Sequence, residues 1–292
     1  MGLRANPSQR QRRLGHELRK LREAAGLTTA EAGRRVGIGQ AHVSHIEAGR
    51  TACPEPRLHA LTEAYECLNE PLVTALAEMA GASGKGWWTE FRDILDDRAR
   101  DLAELEESAA AFQTFEWMYV PGLLQTPDYM RDLFRNRSPR PSEDLIDRYI
   151  DFRLHRQQTL MREPPPAFHA VIHEAAFHMH FVKRSTMRHQ LLHLLELSQF
   201  DNVTIQLLPF KAEGCPAATG VPFTILTPKA VELRTVYAEQ PITPIFLVDR
   251  TDVDQFMSDF DRVRTVALAP LDPSESHEKS SLGLVQHLRY VL

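Results

Sequence analysis

A chain of 292 residues is longer than one hydrophobic core usually serves, so two domains are expected. Its 43% apolar and 25% charged residues are those of a soluble globular protein, and no apolar run approaches the roughly 20 residues of a membrane span. Charge is unevenly divided: residues 1–58 hold 11 Lys or Arg against 5 Asp or Glu, a net of +6, whereas the whole chain is −5 and the remainder therefore −11. A basic head on an acidic body is the distribution of a nucleic-acid-binding module joined to a part that does not bind nucleic acid. The N-terminus MGLRANPSQRQRR has no signal-peptide core, which points to a cytoplasmic, nucleoid-associated protein without a membrane partner. Cys53, Cys67 and Cys215 are widely spaced and odd in number, as expected of reduced thiols; Cys215, in a Gly-Cys-Pro turn, reads as a plain loop cysteine.

In chain order, residues 1–9 read as a flexible arm. Leu14, Leu18 and Leu21 follow at helical spacing and Gly26 stops that helix, expected over 10–25. The stretch LTTAEAGRRVGIGQAHVSHIEAGR, residues 27–50, then reads as a helix, a tight turn and a second helix. Thr28 with Glu31 forms a capping box, Gly37 supplies a turn residue tolerant of positive φ, Gly39 is an N-cap, and Gly49 ends the second helix. Val43 and Ile46 form its buried stripe with Ala32, Val36 and Ile38, which leaves Gln40, Ala41, Ser44 and His45 outward. Small, hydrogen-bonding side chains on an exposed helix face suit a DNA major groove.

This arrangement resembles the Xre or Cro type of helix-turn-helix domain, with Gly37 at the turn, Val43 and Ile46 at the core positions of the recognition helix, and Glu47 and Gly49 completing its V-S-x-I-E-x-G ending. Gly33 departs from the usual alanine at a place where two helices touch, at about 1 kcal/mol of helix propensity. The expected phosphate contacts are Thr28 and Thr29 at a helix N-terminus, with Arg13, Arg34 and Arg50. Base edges fall to Gln40, Ala41, Ser44 and His45. One such domain offers little area, so a homodimer on an inverted repeat in double-stranded DNA is expected.

Leu58, Leu61, Tyr65 and Leu68 mark a fourth helix and residues 71–79 a fifth, completing an all-α domain over 1–80. GASGKG at 81–86 is the expected linker, since its Gly-Lys pair lacks the spacing and the Ser or Thr of a phosphate loop. The second domain, 87–292, opens with Trp87, Trp88 and Phe91 on an amphipathic helix. Further helices are expected over 97–115, after the Thr126-Pro127 start, and over 142–161 up to the Pro164–Pro166 run. Short β-branched or aromatic runs follow at 167–172, 202–210, 221–226, 232–239 and 244–250, with helices at 185–199 and, capped by Thr251 or Asp252, up to Ala267. The tail is polar over 273–281 and apolar enough to dock over 282–292. Helices followed by about five strands and a covering helix make this domain α+β.

The runs GWW, VPGLLQTPDY, FRLHRQQTLMRE-PPP, HEAAF, NVTIQLLPF and PFTIL resemble the C-terminal domain of an actinobacterial group of Xre-type regulators, the WhiJ-like, toxin-antitoxin-like transcriptional regulators. The resemblance implies a regulator, repressor or antitoxin-like, that is encoded near a small protein partner and governs development, secondary metabolism or its own operon. It implies no chemistry for the second domain. HEAAF, from His173 to Phe177, has phenylalanine where the second ligand of an HExxH zinc motif would stand, and His189 and His193 share a helix face without a third ligand. No catalytic residue, metal or cofactor is assigned. Two roles remain for this domain: an interaction and dimerisation module covered by a small protein, or a small-molecule sensor whose candidate pocket is lined by Trp87, Trp88, Trp117, Tyr119 and Phe223.

Overall fold

The computed structural model describes residues 3–214, 220–240, 243–274 and 280–292, so Cys215 and the middle of the polar tail lie outside the described residues. The chain forms two compact units: Met1–Leu105 together with Thr227–Arg234, and Glu106–Leu226 together with Thr235–Leu292. The expected linker at 81–86 lies within the first of them.

The first unit is helical. Helix α1 (Gln9–Ala24) starts at a capping box between Ser8 and Gln11 and is stopped by Gly26 at φ +68°. The arm before it is tied down where Arg4 N–H donates to the Arg50 carbonyl at 2.8 Å. Helix α2 (Thr29–Arg35) begins at the expected Thr28–Glu31 capping box, and Gly37 takes the turn at φ +70°. Helix α3 (Gln40–Glu47) is N-capped by Gly39 and followed by Gly49 at φ +69°. Helices α4 (Glu55–Ala64) and α5 (Glu70–Gly81) close the bundle. Glu66 adopts φ +57°, which breaks the expected Leu58-to-Leu68 stripe and leaves Leu68 93% exposed. The core gathers Leu14, Leu18, Ala32, Val43, Ile46, Leu58, Leu61 and Leu76, and Ala230 and Leu233 join it from far along the chain.

Trp87–Phe91 is a short 3-10 turn and not the opening of an amphipathic helix. Helix α6 (Asp97–Ser108) follows, held to α1 by Arg10, which pairs with Glu104 at 2.7 Å and also donates to the Met79 carbonyl. The expected helix over 97–115 ends early because its last residues form a strand.

That strand, β1 (Ala111–Glu116), lies inside a six-stranded sheet, one more than expected. The others are β2 (Ala167–His173), β3 (Val203–Leu208), β4 (Phe223–Thr227), β5 (Thr235–Ala238) and β6 (Ile245–Leu247). Their order is β3-β2-β1-β4-β5-β6; β1, β2 and β3 run parallel, while β4, β5 and β6 pair antiparallel. Parallel neighbours need crossovers. Helices α7 (Pro127–Arg135) and α8 (Glu143–Gln157) connect β1 to β2, and α9 (Ala175–His178) and α10 (Arg184–Leu197) connect β2 to β3.

Helix α11 (Arg250–Val266), N-capped by Asp249 and not by Thr251 or Asp252, lays Val253, Phe260 and Val263 on Phe115, Val171, Ile225 and Val236 of the sheet. The free edge of β3 is paired by the segment after α11, where Leu268 N–H donates to the Leu207 carbonyl at 2.9 Å and Leu271 N–H to Ile205 at 2.7 Å. Helix α12 (Ser281–Val291) docks beside it through Ser281, whose hydroxyl accepts from Leu207 N–H at 3.0 Å. The architecture is thus a helical head followed by an α+β unit with one mixed sheet.

Candidate nucleic-acid interface

The turn between α2 and α3 is tight because Gly33 has no side chain. A Cβ there would stand 2.5 Å from the Ile38 carbonyl oxygen, inside contact distance, while Ile38 N–H donates back to the Gly33 carbonyl at 2.8 Å. The same economy governs α1 against α3: a Cβ on Gly15 would meet the Glu47 carbonyl oxygen at 2.3 Å. Glu47, the last residue of α3, is clamped by Arg22 of α1 through contacts of 2.6 and 3.0 Å, and Arg22 also donates to the Leu27 carbonyl at 2.6 Å. Both side chains of the pair are under a tenth exposed, and the Glu47 contact holds the guanidinium's pKa above its ordinary value. The recognition helix is therefore fixed from below by Val43 and Ile46, 0% and 2% exposed, and at its end by a buried ion pair.

On the opposite face of α3, Gln40, Ala41 and Ser44 are exposed and His45 is half-buried. Gln40, Ser44 and His45 make no side-chain hydrogen bond among the described residues, so their donors and acceptors face outward unspent. Arg34 and Arg50 are exposed as well. Thr29 is half-buried, and the Thr28 hydroxyl accepts from Glu31 N–H at 3.2 Å and donates to the Glu31 carboxylate at 2.6 Å. That hydrogen bond keeps the Glu31 carboxyl below its ordinary pKa, so the α2 N-terminus carries a charged acid of its own.

Arg13 corrects the sequence reading. Its side chain is 2% exposed; it pairs with Glu17 at 3.0 Å and donates to the Glu232 carbonyl at 2.6 Å. Arg13 is a buried structural residue of α1, and its charge is spent before any phosphate could reach it. Its neighbour Arg12 is the exposed one, and Gly49 approaches the Arg12 backbone closely enough that a Cβ would lie 3.2 Å from Arg12 N. Arg12 therefore sits beside the end of the recognition helix. Adjacent residues on a helix point about 100° apart, and the signal that could have told Arg12 from Arg13 was Glu17 four residues on, a partner for position 13 alone.

The five aromatic residues of the candidate pocket are divided between the two units. Trp87 and Trp88 belong to the first unit, where Trp87 stacks edge-on against Trp88 and Phe91 at 5.8 and 6.1 Å. In the second unit Phe223 is core, packed between Phe115 and Phe256, and Trp117 lies against the same α11 cluster. Tyr119 instead meets Phe181 at 5.0 Å. Of the five, Phe223 is buried and the other four are half-buried; a separate open depression beside α11 is lined by Met257, Asp261 and Val266.

His173 ends β2 with its Nδ1 accepting from Ala175 N–H at 3.1 Å, and Glu174 accepts from Phe210 N–H at 2.9 Å. His189 is exposed, and His193 lies 3.4 Å from Glu196. Among the described residues no group of three or more His, Cys, Asp or Glu is placed to hold a metal. Cys53 is buried, and burial pushes its thiol up to about 11, which keeps it unreactive at neutral pH. No helix among the described residues is long and apolar enough to cross a membrane.

Comparison with known families divides the chain in a similar way. Residues 13–76 match a family described as a helix-turn-helix domain, and residues 99–278, more than half of the chain, match one described as a domain of unknown function (DUF5753). Neither a curated protein nor a solved structure matches the chain.

Proposed function

Since the chain belongs to the DUF5753 family and carries a helix-turn-helix domain, we propose that it is a sequence-specific transcriptional regulator that reads double-stranded DNA with α3. The observation that carries this reading is the outward face of α3, unspent in hydrogen bonding and held rigid by Val43, Ile46 and the Arg22–Glu47 pair. Gln40 can pair bidentately with adenine, Ser44 and His45 supply further polar contacts, and Ala41 packs on a thymine methyl. Phosphates fall to Arg12, Arg34 and Arg50, with Thr29 at the start of α2; Thr28 can join them only by exchanging its bond to Glu31 for one to phosphate. The protein binds an inverted repeat as an Xre-type dimer, with half-sites about one helical turn apart.

The second unit supplies the control. Phe200, Phe210 and Tyr290 stand 44%, 58% and 87% exposed on it, individual apolar contacts for a small protein partner; a small-molecule effector is the alternative. A repressor or antitoxin-like role in a partner-encoding operon follows from that reading.

The test is binding to the DNA upstream of the protein's own gene at two salt concentrations, with a Gln40→Ala, Ser44→Ala, His45→Ala triple variant alongside. A wild type that prefers this DNA over scrambled DNA, and a variant that keeps the salt slope but loses the preference, support the assignment. Equal preference in both proteins removes α3 as the reading helix.

A further inference from the structure

The hairpin joining β4 to β5 does something a hairpin loop need not do. Leu226 and Thr235 are its last paired residues, so the intervening chain is closed at its base by the sheet of the second unit. Yet Thr227–Arg234 counts with the first unit. The segment tightens into a 3-10 turn, Val231–Leu233, in which Leu233 N–H donates to the Ala230 carbonyl at 3.0 Å. Ala230 and Leu233 are each 4% exposed and complete the core formed by Leu14, Leu18, Leu58 and Leu76. The sequence pattern predicts a strand from residue 232; the strand begins only at Thr235.

Two polar anchors fix the segment. The Glu232 carbonyl accepts from buried Arg13 of α1, and the Glu232 carboxylate accepts from Asn69 Nδ2 at 2.7 Å. Asn69 is itself the N-cap of α5, its Oδ1 accepting from Leu72 N–H at 3.1 Å. Helix α1 thus meets this segment through Arg13 and the recognition helix through Gly15 and Arg22.

We infer that Thr227–Arg234 is a regulatory strap: a loop carried by the β4–β5 hairpin that completes the core of the DNA-binding unit and, by holding α1, sets how well α3 binds DNA. The inference rests on the DNA-binding reading of α3. With the strap seated, Arg13 donates to the Glu232 carbonyl as well as to Glu17, and the core is closed. With the strap withdrawn, a guanidinium buried beside Glu17 loses its carbonyl partner, and the sites of Ala230 and Leu233 open to water, which loosens α1 beneath the recognition helix. A partner or ligand that reshapes the β4–β5 hairpin then changes DNA affinity without touching α3.

The experiment uses the full chain in three forms: wild type, Leu233→Ala, and a variant in which residues 229–233 are replaced by Gly and Ser at unchanged length. Amide exchange in α1 and α5 reads the strap, exchange in β1, β2 and β3 reports whether the second unit remains folded, and affinity for the protein's own upstream DNA reads the consequence. The strap variants are expected to exchange at least tenfold faster in α1 and α5, keep the sheet protected, and bind DNA at least tenfold more weakly. Unchanged exchange in α1 and α5 overturns the strap whether or not DNA binds. Faster exchange with DNA affinity within twofold of wild type overturns its regulatory role. If the Gly-Ser form loses sheet protection, Leu233→Ala, a smaller perturbation, decides by the same readouts. A wild type that binds no DNA overturns the regulator reading by itself, and exchange still decides whether the strap holds α1.

Discussion

Replacing Arg22 by methionine tests what fixes the recognition helix. The substitution keeps most of the side chain's apolar length but strands the Glu47 carboxylate, 7% exposed, and frees the Leu27 carbonyl. Removing one member of a buried ion pair costs about 3–5 kcal/mol, because the survivor is left charged and unpaired. The Glu47→Leu variant strands the guanidinium instead, which keeps its 2.6 Å bond to Leu27, so its cost belongs near the lower end of that range. The double variant removes both charges and leaves an apolar contact between α1 and α3; it should recover to within about 1–2 kcal/mol of wild type. Amide exchange of α1 and α3, converted to opening free energies, gives all four corners of the cycle while the second unit serves as internal reference. Single variants within about 1 kcal/mol of wild type would refute the reasoning, as would a double variant no more stable than either single.

Gly33→Ala sets a gain of about 1 kcal/mol in helix propensity against a Cβ 2.5 Å from the Ile38 carbonyl; the backbone must shift, and a net loss of about 1–3 kcal/mol is expected in thermal or urea unfolding, with a gain contradicting the close approach. Gln40→Ala should relax preference at one base position, whereas Arg50→Ala should weaken all sequences alike and lower the salt slope by about one; equal losses for both on matched and scrambled DNA contradict that division. Asp101 is driven up to about 6 by burial, against a hydrogen bond from the Gln9 backbone and the pull of Arg12, with Glu104 and Asp97 pushing the same way as burial. A carboxyl whose folded pKa exceeds its unfolded value of about 3.9 favours the folded state when protonated. Its contribution is therefore complete below about pH 4 and declines as the pH rises to about 6. Asp101→Asn should abolish that decline, so the gap in melting temperature between variant and wild type widens from pH 4 to 7; a constant gap contradicts it.

The helix-turn-helix core was legible because each boundary there is set by local chemistry: Thr28 with Glu31, Gly37 at positive φ, and Gly49 each act within a few residues of themselves. What failed to be legible depends on distance along the chain. For Arg13, Glu17 four residues on is a local hint of pairing, but the burial that removes it from the surface depends on Glu232, 219 residues later. Strand β1 follows α6 with no Gly or Pro between, so the helical pattern runs on in the sequence; the Phe-x-Thr alternation is the available signal, and the parallel register with β2 settles it. The strap was hidden for the same reason as Arg13, since a three-residue 3-10 turn beside a strand has no period of its own. The aromatic residues of the second unit show the opposite failure. Trp117 and Phe223 stand out in the sequence for their bulk, and bulk is what cores consume: Phe223 is buried and Trp117 packs against the same cluster.

These contacts also revise the electrostatic argument that first marked the N-terminal region. Of its 11 basic residues, Arg13 and Arg22 are buried in ion pairs, Arg10 is held by Glu104, Arg19 pairs with Glu23 at 2.8 Å, and Arg35 donates to the Ala64 carbonyl at 2.9 Å. Arg12, Arg34 and Arg50 are exposed and make no side-chain hydrogen bond among the described residues. Three phosphate-neutralising cations release counterions with a slope in log affinity against log salt of about −2.7 per unit, and about −5 for a dimer. A measured slope near −5 therefore supports two heads on the DNA, and one near −2.7 supports a single head. A slope approaching −10 calls for about five or six cations per head. Arg4, Arg57 and the exposed Arg19 and Lys20 can supply them without disturbing the Arg22–Glu47 clamp. The rigidity of the reading helix is therefore tested by amide exchange of α3 in the bound complex, where a loss of protection would overturn it.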